Sequence, residues 1–174
     1  MIESKMDPVS WNETLATFPN PPILQTWQWG EVKQHFGWQA EHMLWKNDQK
    51  QITGMALVLI RTLSWRGFTP GWKVIYVPRG PVLRDWSDSD ARKQVIGDIQ
   101  AFAKQQNAIF VKIDPELEVA RGLPGESGFQ ENTEALPIVD ELKERAWIFS
   151  KNRSSFVIRL FLIYLHQKMI SSLR

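Results

Sequence analysis

The run Val74-Ile75-Tyr76-Val77 is β-branched and aromatic, and it stops at Pro78-Arg79-Gly80-Pro81 before Val82. Neither proline has an N–H for a sheet ladder, and Gly80 can take backbone angles that other residues avoid, so the chain must leave the sheet there. The expected result is a strand that delivers a loop. One guanidinium, Arg79, is held between two φ-restricted residues and beside a glycine that lets a ligand approach the backbone. Those residue types suit an anion site; a rigid turn with a solvated arginine is the other reading of the same residues.

The same pattern recurs at Ala108-Ile109-Phe110-Val111-Lys112-Ile113-Asp114-Pro115, an apolar strand ended by a polar residue and a proline, which places Asp114 at the strand's carboxyl end. Met55 to Ile60 is apolar at every position, as a central strand covered on both faces would be. It is expected to pair with the run Trp38 to Trp45 through the turn residues Asn47-Asp48-Gln49-Lys50. The middle of one mixed sheet should therefore contain 55–60, 74–77 and 109–113.

Helices are expected around these strands. Asp7-Pro8 reads as an N-cap followed by proline at the first helical position, with the helix ending before the stiff connector Pro19-Asn20-Pro21-Pro22. Thr26 can cap a second helix in which Trp29, Val32 and Phe36 share one apolar face up to Gly37, with Lys33 at the border of that face. A third, over 89–106, carries the stripe Ala91, Val95, Ile99, Phe102 and Ala103. The acidic residues Asp85, Asp88 and Asp90 before it fit a helix start better than a metal site. Beyond, 119–136 reads as a long irregular connection, Pro137 to Phe149 as an amphipathic helix, and Ser154 to Ile158 as a strand. The closing run Phe156 to Leu165 is too short for a membrane span, which needs about 20 residues.

Composition narrows the chemistry. With 174 residues, one well-buried domain is the default. A net charge of +2 is too small to argue for a nucleic-acid surface, DNA included, though it does not oppose contact with a polyanion, and the absence of cysteine excludes disulfides and thiolate catalysis and suits a cytoplasmic setting. No phosphate loop, dinucleotide fingerprint, nucleophile elbow or H-E-x-x-H pattern is present, and His35, His42 and His166 are scattered, so no metal site is expected. The ionisable groups at strand ends and helix borders are Lys33, Arg79, Lys112 and Asp114, a mainly cationic set suited to an acidic or phosphorylated ligand.

Three ordered segments carry a family resemblance. Leu24-Gln25-Thr26-Trp27-Gln28-Trp29-Gly30-Glu31-Val32-Lys33 with Phe36-Gly37-Trp38 resembles the opening helix of the Fem-type aminoacyltransferases of the peptidoglycan interpeptide bridge. Tyr76-Val77-Pro78-Arg79-Gly80-Pro81-Val82 resembles that family's Y-x-x-[RK]-G-P-V signature, and Ile109 to Pro115 its following strand ending in [DE]-P. The resemblance implies an α/β fold built on a GNAT-like mixed sheet flanked by helices, one of two such subdomains in the family. The organisation it implies is an N-terminal helix and connector over 1–22, a GNAT-like core over 23–118, and a divergent region over 119–174 that ends in an apolar tail.

The function it implies is transfer of an amino acid from aminoacyl-tRNA to the stem peptide of a UDP-linked or lipid-linked peptidoglycan precursor, with no further cofactor. Lys33 would meet the precursor's phosphates, with Tyr76, Arg79, Gly80 and Asp114 completing the substrate-binding set. The match fades after about Glu118, and the family's second half is missing from these residues. A truncated form with little or no activity is therefore expected, near a membrane surface and with a tail prone to self-association. Two other readings stay open: an acyl-CoA-dependent N-acyltransferase, and a non-catalytic binding module. For the first, Arg121-Gly122-Leu123-Pro124-Gly125 comes nearest to a pyrophosphate loop, but its proline lacks a needed N–H.

Overall fold

The computed structural model describes residues 2–3, 6–64, 71–122, 125–149, 157–159 and 162–165. In chain order the elements are β1 (Ile2–Glu3), α1 (Pro8–Ala16), a 3₁₀ turn (Ile23–Gln25), α2 (Trp27–His35), β2 (Gln39–Lys46), β3 (Ile52–Thr62), β4 (Lys73–Val77) and β5 (Val82–Leu83). They continue with α3 (Ser89–Gln105), β6 (Ala108–Ile113), β7 (Glu118–Arg121), β8 (Gln130–Glu131), α4 (Leu136–Glu144), β9 (Trp147–Phe149), β10 (Val157–Arg159) and β11 (Leu162–Leu165).

The main sheet runs β1-β2-β3-β4-β6-β11-β9, with β5 paired to β3. The three expected central strands share it, and β4 and β6 lie parallel while the other pairs are antiparallel. The parallel pair follows from the connection, because α3 separates the two strands and supplies the crossover. Alternation along the strands divides the core. Ala56, Val58, Ile60, Ile75, Val77, Val111 and Ile113 pack under α3 and α4, whereas Leu44, Met55 and Val82 pack under Trp11 and Leu15 of α1.

The helix starts follow local chemistry. Asp7 accepts from the N–H groups of Val9 and Ser10, Thr26 from Trp29, and Asp88 from Asp90 and Ala91, which satisfies amides that a helix start leaves unpaired. Asp88 thus does the work of a cap.

Four expectations need correction. Val32 and Phe36 do not lie on a buried face; they are 44% and 67% exposed. The residue of α2 that is buried is Gly30, on which a Cβ would stand 3.2 Å from Leu57 Cδ1 and 3.3 Å from Ala40 Cβ. Close approach of helix and sheet at a glycine, rather than the apolar stripe, sets which face turns inward. Second, 119–136 is not wholly irregular: β7 pairs with β8 and β10 in a separate three-stranded sheet. Third, the helix expected from Pro137 to Phe149 ends at Glu144, and Ala146 at φ 65° turns the chain into β9. Fourth, the strand expected over Ser154 to Ile158 is placed at Val157–Arg159, its first three positions lying outside the described residues.

The apolar tail contributes β11, whose backbone pairs with β6 on one side and β9 on the other. Residues 65–70, and Leu123 and Pro124 of the Arg121 to Gly125 segment, lie outside the described residues. Among the described residues no helix is long and apolar enough to cross a membrane, and no three His, Asp or Glu side chains gather to hold a metal ion.

Candidate functional site

β4 and β6 run side by side in the same direction, with Tyr76 opposite Lys112 and Val77 opposite Ile113, so they end together. The Pro78–Pro81 turn and the Asp114–Glu116 segment therefore leave the sheet at neighbouring points. The carboxyl ends of adjacent parallel strands are where open α/β sheets place their ligands.

Asp114 ties the two exits. Its Oδ1 accepts the backbone N–H of Arg79 at 2.6 Å and its Oδ2 accepts the hydroxyl of Tyr76 at 3.0 Å. Arg79 sits at φ 50°, a left-handed conformation that costs a non-glycine residue about 1–2 kcal/mol. The Asp114 hydrogen bond offsets part of that cost and aims the guanidinium outward, where Nε meets Glu116 Oε1 at 3.2 Å. The Gly80–Pro81 peptide is cis.

Gln25 holds the turn from beneath. It is fully buried, its Oε1 accepts the Leu57 N–H at 2.6 Å, and its Nε2 donates to the Pro78 carbonyl at 2.5 Å. Its own carbonyl accepts the Trp11 indole N–H at 2.9 Å. A Cβ on Gly80 would stand 2.7 Å from Gln25 Nε2, so glycine is required there by space.

The electrostatics follow from burial. Burial pushes the Asp114 carboxyl up, opposed by the Arg79 N–H, the Tyr76 hydroxyl and the charges of Lys112 and Arg79. Burial and the neighbouring Asp114 carboxylate push the Tyr76 phenol well above its usual range, so it remains a donor across the physiological span. Lys112 Nζ lies 4.5 Å from the Tyr76 ring centroid, a cation–π contact that fixes the ammonium over the sheet.

The structure brings Tyr76, Arg79, Gly80 and Asp114 together. Lys33 has its Nζ 4.8 Å from the centroid of the Trp29 ring on α2. Gly30 of the same helix lies against Leu57, and the next inward residue of β3, Leu59, pairs with Tyr76. By alternation, α2 and the side chains of Tyr76 and Lys112 share one face of the sheet. Among the described residues no hydrogen bond, ion pair or ring contact joins Lys33 to Arg79, and Arg79, but not Lys33, lines a hollow of about 110 Å³. That hollow lies between the turn, the Pro19–Pro22 connector and Trp86.

Sequence reasoning missed Gln25 as the support of the turn and Glu116 as the partner of Arg79. Gln25 stands inside a recognisable motif, but a buried glutamine has no periodic signature. Glu116 follows Asp114-Pro115 directly, and that proximity to a strand end was the available signal.

Comparison with known proteins gives a consistent result. The family model described as the FemAB family matches residues 15–156. The Lipid II:glycine glycyltransferase of Staphylococcus haemolyticus (strain JCSC1435) is 33% identical over 105 residues, which is 60% of this chain and 24% of that protein. The chain thus spans about a quarter of the length of the curated relatives it matches. Among solved structures, FemX superposes with a TM-score of 0.65 at 23% identity, covering 89% of this chain and 35% of FemX. The ribosomal-protein-alanine N-acetyltransferase of Brucella melitensis superposes with a TM-score of 0.51 at 10% identity, covering 95% of this chain and all of that one. These two likenesses establish a GNAT-like fold, a mixed sheet flanked by helices. On the family match over most of its length, this chain belongs to the FemAB family.

Proposed function

We propose that residues 1–174 form a precursor-binding part of an aminoacyltransferase that acts on the stem peptide of a peptidoglycan precursor. The observation that carries this reading is the joint exit of β4 and β6, where Tyr76, Arg79, Lys112 and Asp114 converge. The names of the glycyltransferase relatives support a lipid-linked precursor as the acceptor class. In this reading Lys33 meets the phosphates from α2, Tyr76 and Lys112 form the floor, and Arg79 with Gly80 forms the wall. Asp114 acts by holding Tyr76 and Arg79 in place, since both of its oxygens already accept hydrogen bonds within the chain.

The amino-acid donor is an aminoacyl-tRNA. An amine of the stem peptide attacks the aminoacyl ester carbonyl, a C–N bond forms, the ester C–O bond breaks, and the tRNA hydroxyl leaves with the proton lost by the amine. Positioning supplies most of the acceleration, because an oriented pair of reactants gains a large effective molarity. These residues alone are expected to bind without turnover, because this reading assigns none of them to the tRNA end of the donor. Calorimetry with a UDP-linked muropeptide should show weak, salt-sensitive binding, and an assay with charged tRNA should show no transfer. Clear transfer by residues 1–174 would overturn the division of labour, and the absence of any binding would overturn the precursor reading.

A further inference from the structure

The end of the sheet opposite the Arg79 turn has its own character. β2 starts there at Gln39, β3 finishes there at Thr62, and β4 and β6 begin there, since Gln39 pairs with Ile60, Thr62 with Lys73 and Lys73 with Ala108. Large aromatic side chains stay in the open at this end: Phe36, the C-cap of α2, is 67% exposed, and Trp72, just before β4, is 56% exposed. The Arg61 guanidinium lies over the Trp38 ring at 5.6 Å. Arg61 faces Val74 across the ladder, and the Leu63 N–H donates to the Trp72 carbonyl at 2.8 Å. The pairing therefore continues to Trp72 and places it diagonal to Arg61 on the same face.

The charge at this end is of one sign. From Val32 to Ala40, from Gln49 to Arg84 and from Ile99 to Ile113 the chain has no aspartate or glutamate. Among the described residues Arg61, Lys73 and Lys104 form no ion pair. Lys73 Nζ donates to the neutral Gln106 Oε1 at 2.6 Å, which holds the ammonium between the start of β4 and the end of α3 without cancelling its charge. The acidic residues of the adjoining elements are set back. Glu31 lies a turn earlier on α2, Glu41 turns to the other face of β2, and Glu144 stands next to β9 at the far edge of the sheet.

We infer that this end of the sheet is a docking face for an anionic lipid surface, with Phe36 and Trp72 entering the headgroup layer and Arg61, Lys73 and Lys104 lying against the lipid phosphates. Aromatic side chains are favoured at the boundary between water and hydrocarbon, and each cation near an anionic surface adds an attraction that fades within a Debye length. A second copy of the chain fits less well, because it would bring the same cations together with no carboxylate to answer them. A nucleic acid asks for a larger positive field than a chain of net charge +2 provides. Two aromatic side chains are a modest anchor, so the contact is reversible. β4 rises from Lys73 to Val77 over about 13 Å, so the Arg79 turn stands clear of the surface, while Lys33 in the last turn of α2 stays near it. That this orientation leads a lipid-linked precursor from the surface to the turn rests on the function proposed above; the argument from charge and aromatic exposure does not.

The test is flotation of the 174-residue chain with vesicles of phosphatidylcholine alone and of phosphatidylcholine mixed with phosphatidylglycerol, joined to NMR in bicelles of the mixed lipid carrying a spin-labelled lipid. The chain should float with the anionic vesicles only, half-bound at a lipid concentration on the order of 1 mM, and should be released as salt is raised. The spin label should broaden the amide signals of Phe36, Arg61 and Trp72 and the Trp72 indole signal, and leave the Arg79 turn sharp. Arg61→Gln should weaken binding about fivefold, and Phe36→Gln combined with Trp72→Gln about tenfold or more. Val9→Gln, at a residue 64% exposed on α1, should change nothing. All four positions are exposed, so the variants should keep the fold of the parent. No flotation with anionic vesicles, equal flotation with neutral ones, undiminished binding by the Phe36 and Trp72 double variant, or broadening centred on the Arg79 turn would overturn the inference. So would self-association of the parent that the double variant abolishes, which would give the face to a second copy, or tighter binding of an RNA oligonucleotide than of the anionic vesicles. The precursor reading is tested with a soluble UDP-linked muropeptide and no vesicles, so either can fail while the other stands.

Discussion

Asp114 holds the Arg79 backbone N–H at 2.6 Å, so a side chain at the end of one strand fixes the backbone of the turn that ends its parallel neighbour. Arg79 is thereby kept in a left-handed conformation with its guanidinium turned outward. The relationship separates two roles that the sequence motif merges. Asp114 shapes the turn, and Arg79 presents the charge.

Replacing Asp114 with alanine should cost about 2 kcal/mol, because the Arg79 N–H and the Tyr76 hydroxyl lose their acceptor in a half-buried place. Arg79→Gly should stay within about 1 kcal/mol of the parent. Relief of left-handed strain offsets the added freedom of the unfolded chain and the loss of a partly exposed ion pair. Urea unfolding of both variants checks the contrast.

Gln25 and Gly80 should behave as a coupled pair. Gln25→Leu leaves the Leu57 N–H and the Pro78 carbonyl unpaired inside the protein, at about 3 kcal/mol. Gly80→Ala drives a Cβ to 2.7 Å from Gln25 Nε2 and 3.0 Å from Val77 Cγ1, and should cost about 1–3 kcal/mol. Combined with Gln25→Ala, which empties that space, the Gly80→Ala penalty should shrink by 1 kcal/mol or more on the order expected for contacting residues. Strict additivity in a double-mutant cycle would contradict the steric account.

His42 should give acid sensitivity. It stacks on Trp27 at 3.9 Å and meets Trp11 edge-on at 4.6 Å, and burial pushes its imidazole down to about 4 from an ordinary 6.5. Between those values the unfolded chain binds a proton that the folded one refuses, so stability is complete above pH 6.5 and falls as pH drops toward 4. The loss should be about 2–3 kcal/mol. Denaturation midpoints of the parent should decline through that window more steeply than those of His42→Phe.

The Tyr76 phenol should resist ionisation. Its value is raised by burial and by Asp114, so the folded state gives up its proton less readily than the unfolded chain, and this contribution to stability fades as pH climbs above about 10. In a Tyr164→Phe background, the ultraviolet signal of phenolate should be absent near pH 10. Asp114→Asn should move its onset to lower pH. Ordinary ionisation near pH 10 would show that the hydroxyl is not held by the carboxylate.

The central strands and the turn were legible because apolar β-branched runs ending at Pro78 and Pro115 leave the chain few alternatives. The cap residues Asp7, Thr26 and Asp88 were legible for the same local reason. The orientation of α2 was not, since an apolar stripe at Val32 and Phe36 competes with Gly30, and only the partner surface of Leu57 and Ala40 decides which packs closer. The short strands β7, β8 and β9 were missed because their pairing partners are distant in sequence or brief. Of the candidate site, Arg79, Lys112 and Asp114 were legible as strand-end residues, while Tyr76 and Gly80 entered through the resemblance to the family signature. Gln25 was invisible, because its role depends on three segments that meet only in the folded chain.

The most direct test of the precursor reading is an NMR titration of the 174-residue chain with a UDP-linked muropeptide at low ionic strength. The account predicts shifts on the exposed side of α2 around Lys33 and at the carboxyl ends of β4 and β6 around Tyr76, Lys112 and Asp114, weakening as salt is raised. Shifts confined to the opposite face of the sheet, under α3 and α4, or no shifts at all at millimolar ligand, would contradict it.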